Sequence, residues 1–271
     1  MSVKQLLKQS LKKGLKRFVP PSISGSLLGL PLNTIKWDQL VFSKHDDVAS
    51  RIRNLYDYDG DLLTIFSENK GKVVNKWHHY IPIYDKYFSH YRGKKVRMLE
   101  IGVSKGGSLS MWRKYFGPDA VLFGIDIDPN CAMFDGEDGQ VRIGSQDDSQ
   151  FLRDVVDEMG GVDIVLDDGS HMMHHIRSSL KCLFPLLKEG GIYFVEDLHT
   201  CYWRAWGGGY RSKASFFRVV SDLVDDMHHW YHNYGVRHAG IGSAVKGIHI
   251  HDSIVVIEKA SIHQPMNSQI G

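Results

Sequence analysis

The chain has 271 residues, of which 42% are hydrophobic and 24% are charged, and these fractions are ordinary for a folded globular protein. Its 33 Lys and Arg residues nearly balance its 31 Asp and Glu residues, so no general nucleic-acid-binding character follows from the net charge of +2, and we expect no nucleic-acid partner. The three cysteines lack CxxC spacing, no apolar run reaches transmembrane length, and no secretory signal is evident. We therefore expect one good-sized α/β domain with additions, in the reducing cytoplasm.

The first 20 residues form a basic amphipathic pattern. They contain six Lys or Arg residues and no acid, and their apolar residues recur at helical spacing up to Pro20 and Pro21. Such a helix can attach peripherally to the inner face of a membrane or to a partner. It can equally pack as an arm on its own domain or on another subunit. We assign residues 1–35 to this helix and a linker.

Residues 36–92 are predicted to form a helical, aromatic-rich cap. Within it, residues 76–91 are dense in aromatic rings and histidines. We expect most of these rings to pack on the core. His79 and Tyr80 are candidates for the wall of a substrate pocket.

The α/β pattern begins at residue 93. The first predicted strand contains Glu100 near its end and leads into the Gly-rich turn of residues 102–108, followed by a helix. Such a turn lets a ligand approach the backbone and the helix N-terminus. Its spacing is neither GxGxxG nor a GK[ST] phosphate loop, which disfavours a dinucleotide. Glu100 would repel a phosphate and attract an ammonium group.

Polar residues also follow the next two strands. Asp126 ends a strand of residues 121–125, roughly 20 residues past the Gly-rich turn, where a carboxylate can accept hydrogen bonds from ribose hydroxyls. Gln146 and Asp147 follow a short strand of residues 141–143, at the position where a nucleobase would lie. The alternative for each residue is a turn or helix cap.

Residues 162–200 form a predicted strand–helix–strand unit. Two short apolar runs, residues 162–166 and 192–195, flank a helical pattern that we expect Gly190 and Gly191 to end. Such a crossover favours two parallel strands in one sheet. The residues that follow the two strands should therefore meet at one edge of the sheet.

Acidic doublets follow both of these strands. If the strands are neighbours, Asp168, Glu196 and Asp197 converge on one small volume. Like charges this close require a shared proton or a cation, and oxygen ligands suit Mg²⁺, with Mn²⁺ or Ca²⁺ as alternatives. His171 would lie at the rim of the same volume, where it can act as a general base. The alternative is that these acids cap helices at a solvated edge.

Aromatic residues follow the second doublet. His199, Tyr202 and Trp203 lie beside glycines at the expected rim of the site, which suits stacking on a sugar face, although they can also be buried rings of a surface loop. Near the C-terminus, a predicted antiparallel hairpin carries His249 and His251, which we expect to face outward.

Five motifs together resemble a known family. The segments LEIGVSKGGS, FGIDIDP, GSQDD, VLDDGSH and FVEDLHT, in this order, resemble class I S-adenosylmethionine-dependent methyltransferases, and more closely the metal-dependent sugar O-methyltransferases of macrolide biosynthesis. The resemblance covers about residues 76–259. It implies an α/β fold with a Rossmann-like seven-stranded sheet, helices on both faces and an antiparallel last strand. Residues 93–260 would be the methyltransferase domain and residues 261–271 a tail.

The resemblance also implies roles for individual residues. Asp167 would lie near the cofactor amine, and His171 would be the base. The magnesium ligands would be Asp168, Glu196 and Asp197. The cofactor residues, in order from the methionine end through the ribose to the adenine, would be Glu100, Gly102, Ser108, Asp126, Gln146 and Asp147.

The expected activity follows from this resemblance. We expect Mg²⁺-dependent methyl transfer from S-adenosylmethionine to a sugar hydroxyl of a glycosylated natural product, a glycolipid or a polysaccharide. The alternatives are a catechol-type O-methyltransferase and a non-catalytic cofactor-binding scaffold. The relatives lead us to expect a homo-oligomer. From the length of its N-terminal part, we expect this chain to differ from the larger macrolide enzymes, which carry a full extra domain there.

Overall fold

The computed structural model describes residues 47–136, 138–233 and 240–271. The predicted basic helix of residues 1–20 and its linker to residue 35 lie outside the described residues. Among the helices of the described ranges, none is long and apolar enough to cross a membrane.

A single seven-stranded sheet forms the centre of the fold. Its strands are β1 (Arg97–Ile101), β2 (Val121–Asp126), β3 (Gln140–Ile143), β4 (Val162–Asp167), β5 (Leu187–Val195), β6 (Val245–His251) and β7 (Ile254–Lys259). They lie in the order β3-β2-β1-β4-β5-β7-β6. The first five strands pair with one another in parallel, whereas β7 is antiparallel to β5 and to β6. The predicted sheet with an antiparallel last strand is confirmed.

Helices cover both faces of this sheet. The helices are α1 (Val48–Tyr56), α2 (Asp61–Ser67), α3 (Tyr80–Phe88), α4 (Gly107–Phe116), α5 (Ser149–Met159), α6 (Met173–Leu186) and α7 (Phe216–Met227). Short 3-10 helices span Ser89–Tyr91, Pro129–Phe134, Leu198–Tyr202, Arg204–Trp206, His229–Tyr231 and Ile241–Ala244. The first four α-helices contribute to one apolar cluster and the last three to another.

The strands divide their side chains between these two clusters. In β4, Ile164 and Leu166 belong to the cluster of α1–α4, while Val165 between them belongs to the cluster of α5–α7. Successive side chains of a strand point to opposite faces, so a strand covered on both sides is apolar throughout. This is why the strands occur in the sequence as short continuous apolar runs.

The glycine pair after α6 differs from the prediction. The prediction that Gly190 and Gly191 end the helix is wrong, because α6 already ends at Leu186 and both glycines lie within β5. Pro185 occupies the last turn, where its ring prevents a regular helix from continuing. The pairing of β4 with β5 is irregular near this end, and Gly190 adopts a φ of 78° there.

The two histidines of the C-terminal hairpin also differ from the prediction. His251 does not face outward, and His249 contacts Glu258 and Tyr87 although 41% of its side chain is accessible. The hydroxyl of Tyr87 lies 2.9 Å from His251 Nε2, and the rings of Tyr87 and His249 are 5.4 Å apart. Alternation along the edge strand β6 instead exposes Ile250, whose side chain is 59% accessible. The histidines therefore pack beside α3, which the local sequence pattern does not indicate.

The side chain of Lys259 caps the C-terminal end of α6. Its Nζ donates to the backbone oxygens of Pro185 and Leu187 at 2.6 Å each, where the last carbonyls of a helix lack partners within the helix. We expect Lys259→Met, which keeps the aliphatic stem, to lower the free energy of unfolding by about 1–2 kcal/mol. Urea denaturation measures this change. Lys188→Met, which removes a neighbouring exposed charge, is the control. Equal stability of the two variants would contradict a capping role of Lys259.

Candidate active site

A cavity of about 470 Å³ opens at the carboxyl ends of the parallel strands. Residues that follow β1 to β4 line it, together with Asp197 after β5 and residues 73–76 from the N-terminal region. Open parallel sheets bind ligands at this edge, and the volume lies within the range of roughly 300–1,000 Å³ typical of small-molecule sites.

Asp126 organises the turn that follows β1. Its Oδ2 accepts hydrogen bonds from the backbone N–H groups of Val103 and Ser104 at 3.0 and 2.9 Å, and its Oδ1 accepts from Asp128 N at 2.9 Å. Burial would raise the pKa of Asp126, but these hydrogen bonds outweigh it and lower the pKa. The carboxylate therefore stays ionised at the cavity wall, where a ribose was predicted.

Two glycines allow close approaches around the cavity. Gly102 has a φ of 98°, and a Cβ at this position would lie 2.2 Å from the carbonyl oxygen of Asp168. A Cβ on Gly107, at the start of α4, would lie 2.1 Å from the carbonyl oxygen of Val73. The turns after β1 and β4 therefore touch, and the backbone of Lys72 and Val73 packs directly over the N-terminus of α4. Sequence analysis did not assign this segment to the site.

Glu100 lies beneath the Gly-rich turn. It is fully buried and accepts hydrogen bonds from Ser108 Oγ at 2.8 Å and from Trp112 Nε1 at 3.3 Å. Burial raises the pKa of Glu100 to about 7. Ser108 lines the cavity, whereas Glu100 lies behind it. A direct contact of Glu100 with the cofactor stays a prediction.

A buried hydrogen-bond network supports the turn after β4. Gln146 Nε2 donates to Asp167 Oδ1 at 3.1 Å, and Gln146 Oε1 accepts from the backbone N–H of Ser170 at 2.7 Å. Ser179 and Tyr193 donate to Asp167 Oδ2 at 2.6 and 2.9 Å. Burial raises the pKa of Asp167, although these hydrogen bonds oppose the shift. Asp167 is thus held in the core and does not line the cavity.

The structure divides the predicted cofactor residues into two sets. Asp147 is exposed, with its carboxylate beside Ser145 Oγ at 2.6 Å and His175 Nε2 at 3.5 Å. Like Glu100 and Asp167, it does not line the cavity. The predicted residues that do line it are Gly102, Ser108, Asp126 and Gln146.

Asp168, His171 and Asp197 form a compact group at one end of the cavity. The Nε2 atom of His171 lies 4.0 Å from Asp168 Oδ1 and 3.6 Å from Asp197 Oδ2. One ligand atom from each residue lies within 4.8 Å of the others. Trp77 Nε1 and Tyr80 OH donate to Asp197 Oδ1 at 3.2 and 2.8 Å and fix its orientation. Carboxylate oxygens beside an imidazole fit a hard divalent ion.

Three cavity residues adopt an uncommon backbone conformation. Ser104, His171 and Asp197 have φ values of 49°, 57° and 55°. Such conformations cost roughly 1–3 kcal/mol each in a non-glycine residue and persist where the surroundings impose them. The backbone N–H of Ser104 donates to Asp126, and that of Ser170, next to His171, donates to Gln146. The side chain of Asp197 accepts from Trp77 and Tyr80, so the three turns are held by hydrogen bonds.

Glu196, the third predicted metal ligand, faces a different neighbourhood. Its Oε1 accepts from Tyr84 OH at 2.6 Å and its Oε2 from Lys76 Nζ at 2.9 Å.

Lys76 Nζ also lies 2.5 Å from Asp168 Oδ2. Burial favours neutral Lys76, but the carboxylates of Asp168 and Glu196 outweigh it and raise the pKa of Lys76, which stays charged. Sequence analysis missed Lys76, whose only signal is a charge within an aromatic-rich segment.

An aromatic wall extends from Asp197 along the chain that follows β5. It consists of Trp77, His199, Trp203 and Trp206. The ring centroids are 5.8 Å apart for Trp77 and His199, 4.8 Å for His199 and Trp203, and 5.1 Å for Trp203 and Trp206. All four are half-buried.

The remaining predicted substrate residues lie around this wall. The ring centroid of His79 lies 6.2 Å from that of Trp77 and 4.6 Å from that of Tyr80, which is buried. Tyr202 is 53% exposed and packs beside Phe217 of α7, with ring centroids 6.0 Å apart. Tyr202 therefore lies apart from the wall.

Comparisons with known proteins agree with this architecture. Residues 99–198 match a family described as a methyltransferase domain. The chain is 34% identical, over 257 residues, to the 8-demethyl-8-(2-methoxy-alpha-L-rhamnosyl)-tetracenomycin-C 3'-O-methyltransferase of Streptomyces olivaceus. That match covers 85% of this chain and 65% of the relative. The chain belongs to the class I S-adenosylmethionine-dependent methyltransferases.

Two further relatives of this methyltransferase come from the mycinamicin pathway. Mycinamicin VI 2''-O-methyltransferase of Micromonospora griseorubida is 34% identical over 198 residues, which cover 67% of this chain and 48% of the relative. The solved structure of the MycE methyltransferase of the mycinamycin pathway, in complex with Mg and SAH, is similar with a TM-score of 0.68 at 31% identity. That match covers 75% of this methyltransferase and 55% of MycE. The chain thus spans between about half and two thirds of these relatives.

Proposed function

We propose that this methyltransferase transfers a methyl group from S-adenosylmethionine to a sugar hydroxyl of a glycosylated small molecule, with Mg²⁺ bound at Asp168 and Asp197. The observation that carries the proposal is the position of His171. Its Nε2 faces both carboxylates at the end of a cavity that Gly102, Ser108 and Asp126 also line. The names of the relatives, which are sugar O-methyltransferases, and the Mg and SAH bound by MycE support it.

Different residues of this chain act as base, as stabilising carboxylates and as cofactor-binding groups. When bound, the cofactor supplies an electrophilic methyl group and the divalent ion lowers the pKa of the acceptor hydroxyl. His171 accepts the hydroxyl proton at Nε2, and Asp168 and Asp197 stabilise the imidazolium that forms. Asp126 binds and orients the cofactor. The fixed turns after β1, β4 and β5 supply the alignment on which a bimolecular transfer depends.

The aromatic wall supports a sugar acceptor. Ligand sites combine apolar and aromatic surfaces with a few polar groups that fix orientation, and a sugar ring presents both kinds of surface. Trp77 belongs to the wall and donates to Asp197, so the wall has a fixed position relative to His171. A sugar stacked on these rings would present its hydroxyls to the base.

Trp203→Ala tests this role of the wall. We expect the KM for the acceptor to rise about tenfold, because burial of apolar surface contributes about 25 cal/mol per Å², and loss of about 50 Å² of contact with a sugar face corresponds to such a change. Turnover at saturation and cofactor affinity should change little. Steady-state kinetics with varied acceptor measures the effect, with Trp230→Ala, outside the wall, as the matched control. An unchanged KM would remove Trp203 from the acceptor site.

An acceptor screen tests the function itself. The full chain is incubated with S-adenosylmethionine and with glycosylated polyketides, glycolipids, polysaccharides or catechols, and release of S-adenosylhomocysteine is measured with Mg²⁺, Mn²⁺, Ca²⁺ or a chelator. We expect a methylated sugar hydroxyl and loss of turnover with the chelator. If only catechols are methylated, the acceptor is a catechol and not a sugar. Cofactor binding by calorimetry without turnover of any acceptor would favour the scaffold alternative.

A further inference from the structure

Lys76 is the internal cation of the acidic cluster. Its side chain is only 3% exposed, and its Nζ lies 2.9 Å from Glu196 Oε2 and 2.5 Å from Asp168 Oδ2. Among the described residues, no other Lys or Arg forms an ion pair with Asp168, Glu196 or Asp197. Buried carboxylates this close repel one another unless a cation lies between them. Lys76 therefore supplies the positive charge that the cluster needs in the absence of a metal.

Asp168 is shared between Lys76 and the candidate metal site. Its Oδ2 binds Nζ, whereas its Oδ1 faces His171 and Asp197. A divalent ion at Asp168 and Asp197 would thus bind the same carboxylate as an ammonium group. Two cations on one carboxylate repel each other, and the repulsion is stronger beside the buried Lys76 ammonium group than it would be between two cations in water.

Lys76 also reaches this position from a segment that is held at both ends. Lys72, four residues earlier, pairs with Asp138 at 2.8 Å, and the backbone between them packs over Gly107. After Lys76, Trp77 is hydrogen-bonded to Asp197. Because the segment is fixed, Nζ cannot leave the cluster by a simple movement of the backbone.

We propose that Lys76 is a positioning residue that competes with the divalent ion for the Asp168 carboxylate, and that it thereby weakens metal binding while stabilising the metal-free protein. The inference rests on the metal site of the proposed function but not on its acceptor. It also accounts for the orientation of Glu196, which Lys76 and Tyr84 hold away from Asp197. Removal of the ammonium group would leave both carboxylates available to the metal.

The test compares Lys76→Met with Lys72→Met. Both variants remove a lysine of the same segment that pairs with an acid, but only Lys76 touches the cluster. Calorimetry with Mg²⁺ and with Mn²⁺, without cofactor or acceptor, measures the affinity, and thermal unfolding in a chelator measures the metal-free stability. We expect Lys76→Met to bind the metal at least about tenfold more tightly and to unfold at a lower temperature in the chelator. Lys72→Met should keep the wild-type metal affinity, because its half-exposed ion pair with Asp138 contributes little, while the packing of the segment over Gly107 and the hydrogen bond of Trp77 to Asp197 remain.

The outcomes separate this inference from the proposed function. Unchanged or weaker metal binding by a folded Lys76→Met variant would overturn the role of Lys76 and leave the metal site standing. Absence of metal binding by the wild type and by the variant would overturn both. If Lys76→Met does not fold, Lys76→Gln, whose amide can still donate to Glu196, replaces it with the same expected tightening.

Discussion

His171→Ala is expected to lower turnover by about 10²–10⁴-fold, the usual contribution of a positioned general base. The reason is that Nε2 lies beside both Asp168 and Asp197, where the acceptor hydroxyl would lose its proton. Affinity for S-adenosylmethionine should stay nearly unchanged, because in the proposed site Asp126 and the Gly-rich turn, rather than His171, would bind the cofactor. Single-turnover kinetics and calorimetry measure the two quantities separately.

His174→Ala is the matched control for this experiment. His174 lies on α6 three residues after His171, is exposed, and does not line the cavity. We expect it to keep wild-type turnover. Wild-type-like turnover of His171→Ala would reject the base assignment, whereas an equal loss in both variants would indicate a disturbed turn rather than a missing base.

Asp168→Asn is expected to remove metal binding and activity together. The change replaces a charged ligand oxygen by a neutral amide of the same shape, in a group where only Asp197 would remain as a carboxylate facing His171. Loss of a group that merely orients a ligand typically costs 10–100-fold in metal affinity, so loss of a ligand should cost at least about 100-fold. Calorimetric titration with Mg²⁺ and turnover in a metal series measure the effect.

Removal of a negative charge elsewhere controls for the change in net charge. Asp157 lies on the exposed face of α5, and the Asp157→Asn variant should keep the metal affinity and turnover of the wild type. The decisive result is the behaviour of the Asp168→Asn variant in a chelator. If that variant turns over the acceptor without metal, the metal site is wrong, even if the methyltransferase assignment stands.

The sequence by itself determined the location of the site. Parallel strands carry their carboxyl ends to one edge, so the residues after β1, β2, β3 and β4 had to meet there. Asp168 and His171 are three residues apart in one turn, and Asp197 follows the adjacent strand, because β4 pairs with β5. Short apolar runs and the polar residues after them were sufficient to predict this convergence.

Tertiary structure decided which carboxylate of each doublet faces the cavity. Neighbouring residues at a strand end point to opposite faces of the sheet. Two adjacent acids therefore cannot both face the same cavity unless the backbone departs from the strand conformation. Asp167 turns into the core toward Ser179 and Tyr193, whereas Asp168 faces the cavity. In the second doublet, Glu196 turns toward Tyr84.

Long-range contacts decided the rest of the site. Lys76 reaches Asp168 across 92 positions of sequence, and Trp77 and Tyr80 reach Asp197 across 120 and 117. These contacts depend on how α3 and the segment before it pack on the sheet, and a local pattern of charges or rings contains no information about that packing. The sequence alone could therefore name the acids and the base, while only the folded chain shows the cation beside them and the orientation of Asp197.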